Sequence, residues 1–135
     1  MINLEKALAL RAAPLFSSLS AEALLPVAAM CDEISLDEGE VLFETGDAGD
    51  SMFVIVSGQV EVVRGGSVIA RLGEGECVGE MAALDWEPRS ATVRARVASQ
   101  LVRLERNDLM DLLTDYPELV RSLARVLVER IRKTA

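Results

Sequence analysis

The sequence predicts a mainly β fold, a jelly-roll barrel of the double-stranded β-helix kind, with helices at both ends. Two observations carry that expectation. The middle of the chain, residues 33–105, breaks into short strand-like runs separated by glycine-bearing turns. The flanks, residues 1–32 and 106–133, instead place apolar residues at helical spacing. With 135 residues and no long linker or internal repeat, one domain is expected over the whole chain.

Each element has its own local reason. INLEKALALRA (2–12) is rich in helix formers, and Pro14 ends it. Ser20 is placed to cap AEALLPVAAMC, with Glu22 near the positive end of the helix dipole and Pro26 as an expected kink or break. From Glu33 the period changes to that of strands: EISLD, EVLFE, SMFVIVSG, QVEVVR and SVIARL. The Gly65-Gly66 pair between the last two is a hairpin signal. GEGECVGE reads as a turn, because it lacks the Lys-Ser/Thr of a phosphate-binding loop. SATVRARV resumes the strand pattern with Val93, Ala95 and Val97 on one face, and ASQLVRLE follows. Asn107 is the expected cap of DLMDLLTDY. Pro117 opens a last helix whose apolar stripe is Val120, Leu123, Leu127 and Ile131.

Composition narrows the function. The chain is half apolar and carries 22 acidic against 14 basic residues, a formal charge of −8. That balance argues against a nucleic-acid partner and against an anionic membrane surface, both of which need a basic face. There is no histidine, which removes the commonest metal ligand and general base. No metal centre and no catalytic constellation is expected, so an enzyme on a related barrel is disfavoured. Cys31 and Cys77 are far apart and read as buried, reduced thiols. No apolar run reaches the roughly 20 residues that span a bilayer, and the N-terminus lacks signal-peptide architecture. A cytoplasmic location follows as the expectation.

One stretch interrupts the β pattern and carries chemistry: VGEMAALDWEPRSATVRA, residues 78–95. GEMAALD reads as a short helix inserted between strands. Gly79 lets a ligand approach the backbone, and first-turn amides suit an anion. Arg89, between Pro88 and Ser90, offers a planar fork of donors for two phosphate oxygens. Glu80 would repel a bare phosphate but accepts a hydrogen bond from a sugar hydroxyl. Together they fit a nucleotide whose phosphate is folded back on its ribose. Taken singly, Arg89 would be a surface ion pair with Glu87 or Asp85, and Glu80 a carboxylate stabilised by the dipole. Trp86, in the following loop, reads as a surface or packing residue rather than a ligand cover.

These residues resemble the phosphate-binding cassette of cyclic nucleotide-binding domains: Gly-Glu, a small apolar run, then Arg-Ser/Thr-Ala before a strand. Here the cassette is 79–91, and GEVLFETGDAGDSMFVIVSGQVEVV resembles the family's preceding strand block. The resemblance implies the family's barrel over 33–105, its N-terminal helices over 1–32 and its B and C helices over 106–133. It implies that Glu80 binds the ribose 2′-OH and that Arg89 pairs with the cyclic phosphate. It implies that Gly79, Glu80, Met81 and Ala82, with Ser90 and Ala91, complete the phosphate shell. Val62 and Leu72 match base-contacting strand positions, and Arg130 matches a C-helix arginine that covers the base in bacterial channels. Val78 departs from the family, where many members have an aromatic.

The function implied is a non-enzymatic sensor of cyclic nucleotide, cAMP rather than cGMP, in which ligand draws the C-terminal helix onto the barrel. The expected partners are the nucleotide and an effector domain or protein, since no helix-turn-helix follows the last helix. A homodimer through that helix is permitted by its apolar stripe. The alternative is a degenerate domain that serves protein interaction or dimerisation alone.

Overall fold

The computed structural model describes residues 1–134. Helix α1 (Asn3–Ala12) leads through a short 3-10 turn at Pro14–Phe16 to α2 (Ala21–Met30). Eight strands follow: β1 (Asp32–Leu36), β2 (Val41–Phe43), β3 (Ser51–Ser57), β4 (Gln59–Arg64), β5 (Ser67–Gly73), β6 (Cys77–Val78), β7 (Thr92–Ala95) and β8 (Ser99–Glu105). The short helix α3 (Glu80–Asp85) lies between β6 and β7, and α4 (Arg106–Asp115) and α5 (Glu118–Thr134) close the chain. The jelly roll takes the form of two four-stranded antiparallel sheets, ordered β1-β8-β3-β6 and β2-β7-β4-β5.

The strand β3 shows why its sequence, SMFVIVS, is apolar without a break. Phe53 and Ile55 point between the two sheets, where they pack with Leu36, Val60, Val78, Val93, Ala95 and Leu101. Met52 and Val54 point the other way, into a second core built with the helices. A strand covered on both faces loses the polar half of its alternation. The second core takes Leu10, Phe16 and Leu24 from the N-terminal segment and Leu109, Leu112, Leu119 and Leu123 from α4 and α5. The sheet β1-β8-β3-β6 is therefore the wall on which all the long helices rest. Ser20 caps α2 as its sequence predicts, its Oγ accepting from the Ala23 N–H at 3.1 Å.

Several sequence expectations shift in detail. Cys77–Val78, expected within a turn, forms the short strand β6, pairing Cys77 with Val54 and Val78 with Phe53. Two residues are too few to show a period. Helix α2 runs through Pro26 undivided. β7 ends at Ala95, so Val97 leaves the sheet and is exposed. Asn107 does not cap α4, which begins at Arg106 with Glu105 in extended backbone before it. The buried face of α5 is centred on Leu119 and Leu123, while Val120 and Ile131 of the expected stripe face out, 53% and 66% exposed. No helix among the described residues is long and apolar enough to cross a membrane.

This orientation of α5 makes a paired prediction. Leu119→Ala, at a fully buried site, should lower unfolding free energy by about 2–5 kcal/mol in urea titration. Val120→Ala, one residue away and exposed, should change it by about 0.5 kcal/mol or less. Equal losses would contradict the inward face.

Candidate functional site

Arg89 lies on the segment between α3 and β7, and its backbone is pinned before its side chain is considered. Its N–H donates to the Asp47 carbonyl and its carbonyl accepts from the Gly46 N–H, both at 2.8 Å. That ladder ties the cassette to the β2–β3 loop. The side chain then turns inward and is only 4% exposed. Nη1 donates to the Gly79 carbonyl and Nη2 to the Ser51 carbonyl, each at 2.8 Å. The guanidinium carbon sits 4.1 Å from the centre of the Phe43 ring and 5.9 Å from that of Phe53. Two ring faces and two carbonyls thus hold a cation that, among the described residues, has no carboxylate in ion-pair contact.

Neither Glu87 nor Asp85 takes it; Asp85 instead accepts from the Glu87 N–H at 2.9 Å. Burial pushes the Arg89 guanidinium below its ordinary range, while the charge of Asp50 works in the opposite direction. An arginine stays protonated under either influence. Its Nε is buried and has no hydrogen-bond partner.

Glu80 begins α3 and is 1% exposed. Its Oε1 accepts from Nη1 of Arg130, whose Nη2 donates to the Cys77 carbonyl. Its other oxygen, Oε2, is buried and unpartnered. Buried polar atoms are rarely left unsatisfied. Of the three buried side-chain atoms without a partner among the described residues, one belongs to Glu80 and one to Arg89. The site therefore presents an unused acceptor and an unused donor within one cassette.

Gly79 explains how the cassette closes so tightly. Its φ of +82° is left-handed, and a Cβ built there would fall 2.6 Å from Nη1 of Arg89 and 3.4 Å from the Phe43 ring. Any side chain at this position would displace the guanidinium. Ala82 and Ala91 are buried and small, whereas Met81 is 58% exposed beside them. Val78 is buried against the inter-sheet core.

Ser90 is exposed, and Arg64 at the end of β4 reaches it: Nε donates to its carbonyl at 3.2 Å and Nη2 to its Oγ at 3.5 Å. Val62 and Leu72 lie on the adjacent strands β4 and β5, both half-buried at the margin of the inter-sheet core. The structure brings Gly79, Glu80, Ala82 and Arg89 together at one end of the fold. It places Arg130 against the Glu80 carboxylate.

Three contributors escape a linear reading. Phe43 and Phe53 sit under Arg89 because β2 and β3 lie in different sheets facing one another, with ring centres 6.1 Å apart. Arg64 reaches Ser90 across the β4–β7 pairing. Arg106 bonds to the far end of α3. Nothing within the cassette string signals any of these partners. Both cysteines are buried thiols, their pKa values pushed up to about 12 chiefly by burial. They belong to the packing and not to nucleophilic chemistry.

The family model for the cyclic nucleotide-binding domain matches residues 33–116, more than half of the chain. A cyclic nucleotide-gated potassium channel of Rhizobium etli is 34% identical over 119 residues, covering 88% of this chain and 33% of the channel. The cyclic AMP receptor protein of Thermus thermophilus is 32% identical over 129 residues, covering 92% of this chain and 60% of that protein. The chain thus spans less than two thirds of the length of either relative. The crystal structure of a cyclic nucleotide-binding domain from Methylobacillus flagellatus superposes with a TM-score of 0.82 at 28% identity, covering 97% of this chain and 79% of that one. By sequence, fold and cassette alike, the chain belongs to the cyclic nucleotide-binding domain family.

Proposed function

We propose that this domain is a non-enzymatic, cytoplasmic sensor of a 3′,5′-cyclic nucleotide, with cAMP the preferred ligand. The observation that carries this reading is the buried Arg89 guanidinium, held by carbonyls and ring faces with no carboxylate partner and with Nε unused. A cation built into such a place is complementary to an anion that arrives with the ligand. The cyclic phosphate takes that anion's role, with Ser90 and the backbone of Gly79, Glu80, Met81, Ala82 and Ala91 around it. The unpartnered oxygen of Glu80 accepts the ribose 2′-OH. Val62 and Leu72 offer the half-buried apolar surface that a purine covers. The name of the Thermus thermophilus relative, a cyclic AMP receptor protein, supports adenine over guanine.

Arg130 gives the sensor an output. It bridges the Glu80 carboxylate and the Cys77 carbonyl and so holds α5 at the cassette. Ribose binding to Glu80 re-partners this arginine, turning it toward the base, and α5 shifts with it. The population of α5 positions is then set by nucleotide, which is the requirement for a switch. Its effector is a further domain or protein. Val120, Val128 and Ile131, exposed along α5, give a homodimer an apolar seam.

Isothermal titration calorimetry with cAMP, cGMP and 5′-AMP tests the reading. The expected order is cAMP tightest, cGMP next and 5′-AMP far weaker. Absence of binding by both cyclic nucleotides would leave the α5 seam and a purely interaction-based role. Arg89→Ala should weaken cAMP by about 2–5 kcal/mol, since the buried phosphate loses its charge partner. A loss below tenfold contradicts the assignment. Glu80→Ala should cost about 1.5–3 kcal/mol, the scale of one hydrogen bond to a charged acceptor.

A further inference from the structure

The long helices take their core from the sheet β1-β8-β3-β6. The other sheet, β2-β7-β4-β5, turns Val60, Val62, Leu72, Val93 and Ala95 into the inter-sheet core. Strand alternation then sends Glu61, Arg71, Thr92 and Arg94 to its outer face. The register sets Glu61 beside both Arg71 and Arg94. Glu61 is the single acidic residue in the four strands of this sheet, which also carry Arg64, Arg71 and Arg94, and Arg96 follows β7 directly. A chain of formal charge −8 thus gathers four arginines around one carboxylate.

That carboxylate is oversubscribed. Arg94 holds it best, with Nε and Nη2 donating to Oε2 at 3.3 and 3.2 Å. Arg71 and Arg96 reach only the other oxygen, with Nε at 3.5 and 3.9 Å from Oε1. The Glu61 side chain is 13% exposed, whereas those of Arg71, Arg94 and Arg96 are 55%, 45% and 48% exposed. Arg96 otherwise donates to the Gln59 side-chain carbonyl, and Arg64 to the carbonyl and hydroxyl of Ser90. Among the described residues, no second carboxylate is in ion-pair contact with any of the four. One negative charge therefore orients the arginines and leaves most of their positive charge turned to solvent. Apolar side chains flank them: Val41 on β2, in register with Arg94, and Val68 and Ile69 on β5 are each exposed. Arginine mixed with exposed apolar groups, without lysine, is the composition of a protein interface.

We propose that the outer face of β2-β7-β4-β5, centred on Arg71, Arg94 and Arg96, docks an acidic segment of a partner polypeptide. The inference goes beyond the nucleotide-sensor reading and does not depend on it. Carboxylates of the partner take Arg71 and Arg96, whose contacts with Glu61 are the long ones, and its apolar side chains cover Val41, Val68 and Ile69. Glu61 at the centre and the acidic balance of the whole chain both oppose a nucleic-acid backbone on this face. The docking uses the face of the sheet and not its edge. β5 is the edge strand, and its pairing with β4 shifts register at Val62/Val63, an irregularity that opposes the addition of a further strand.

Fluorescence anisotropy tests the surface, with a fluorescein-labelled peptide of Glu, Leu and Gly as the probe and its Gln-for-Glu counterpart as the control. The chain should bind the Glu peptide at least about tenfold more tightly than the Gln peptide, with an affinity that falls as salt rises. Arg71→Gln combined with Arg96→Gln should weaken the Glu peptide by about tenfold, while Tm and cAMP affinity stay near their parent values. Arg121→Gln combined with Arg125→Gln removes the same charge from exposed positions of α5 and should leave peptide binding as it was. Glu61→Gln should tighten it. Failure to bind the Glu peptide, equal binding of the Gln peptide, or equal losses in the two double variants overturns the proposal. So does tighter binding of an oligo-dT strand to the same arginines, which would make this a nucleic-acid surface. If the β-sheet double variant does not fold, Glu61→Gln and the two peptides decide. Loss of the nucleotide reading would show as absent cAMP binding with the Glu peptide still bound.

Discussion

A guanidinium withdrawn from water needs acceptors, and Arg89 finds two of them in main-chain carbonyls. Those carbonyls, of Ser51 and Gly79, come from the start of β3 and the entry to α3. Forming them requires β3 to lie in its sheet, Gly79 to adopt left-handed backbone, and the 46–47 loop to hold the Arg89 backbone. The cost of desolvating the cation is offset by these bonds and by the Phe43 ring, not by a fixed counter-charge. A carboxylate in that place would complete an ion pair and neutralise the cation. The unneutralised cation is the feature around which the cassette is organised.

The division of the molecule into two cores follows from the same arrangement. The inter-sheet core sets Phe43 and Phe53 under Arg89, so the floor of the site is part of the packing of the sheets. The second core holds α4 and α5 against the outer face of β3 and β8. Strand β3 contributes to both, with alternate side chains in each. The cassette end and the helical end of the domain are thus connected through one wall. Arg130 and Arg106 bridge the same two regions from outside it, one at each end of α3. Three arginines with different partners define the cassette: Arg89 on carbonyls beneath, Arg130 on the Glu80 carboxylate, and Arg106 on the carbonyls of the last turn.

Much of this was legible in the sequence because the relevant signals are local. Gly79-Glu80 before a small helical run, and Arg89-Ser90 before an alternating strand, mark the short helix and the return to the sheet within a dozen residues. The Ser20 cap and the Gly-punctuated strands are equally short-range. What escaped depends on pairing between distant segments. Cys77–Val78 becomes a strand only because β3 offers an edge. The inward face of α5 is set by the core it meets, so Leu119 replaces the expected Val120 although both are apolar. Arg130 was placed by its spacing along a helix, and spacing fixes a face without fixing which acceptor waits there. Arg106 carried no signal at all, since its acceptors are carbonyls, which every residue has.

The central claim is that Arg89 is held ready for an anion supplied by the ligand. The most direct measurement is NMR of the arginine side-chain N–H groups, following Arg89 Nε during titration with cAMP and, separately, with adenosine. Nε is buried and has no hydrogen-bond partner among the described residues. The account predicts that cAMP shifts this resonance and slows its exchange with water as binding saturates, and that adenosine, lacking the phosphate, does neither. Saturating cAMP binding that leaves the Arg89 signals where they were would contradict it.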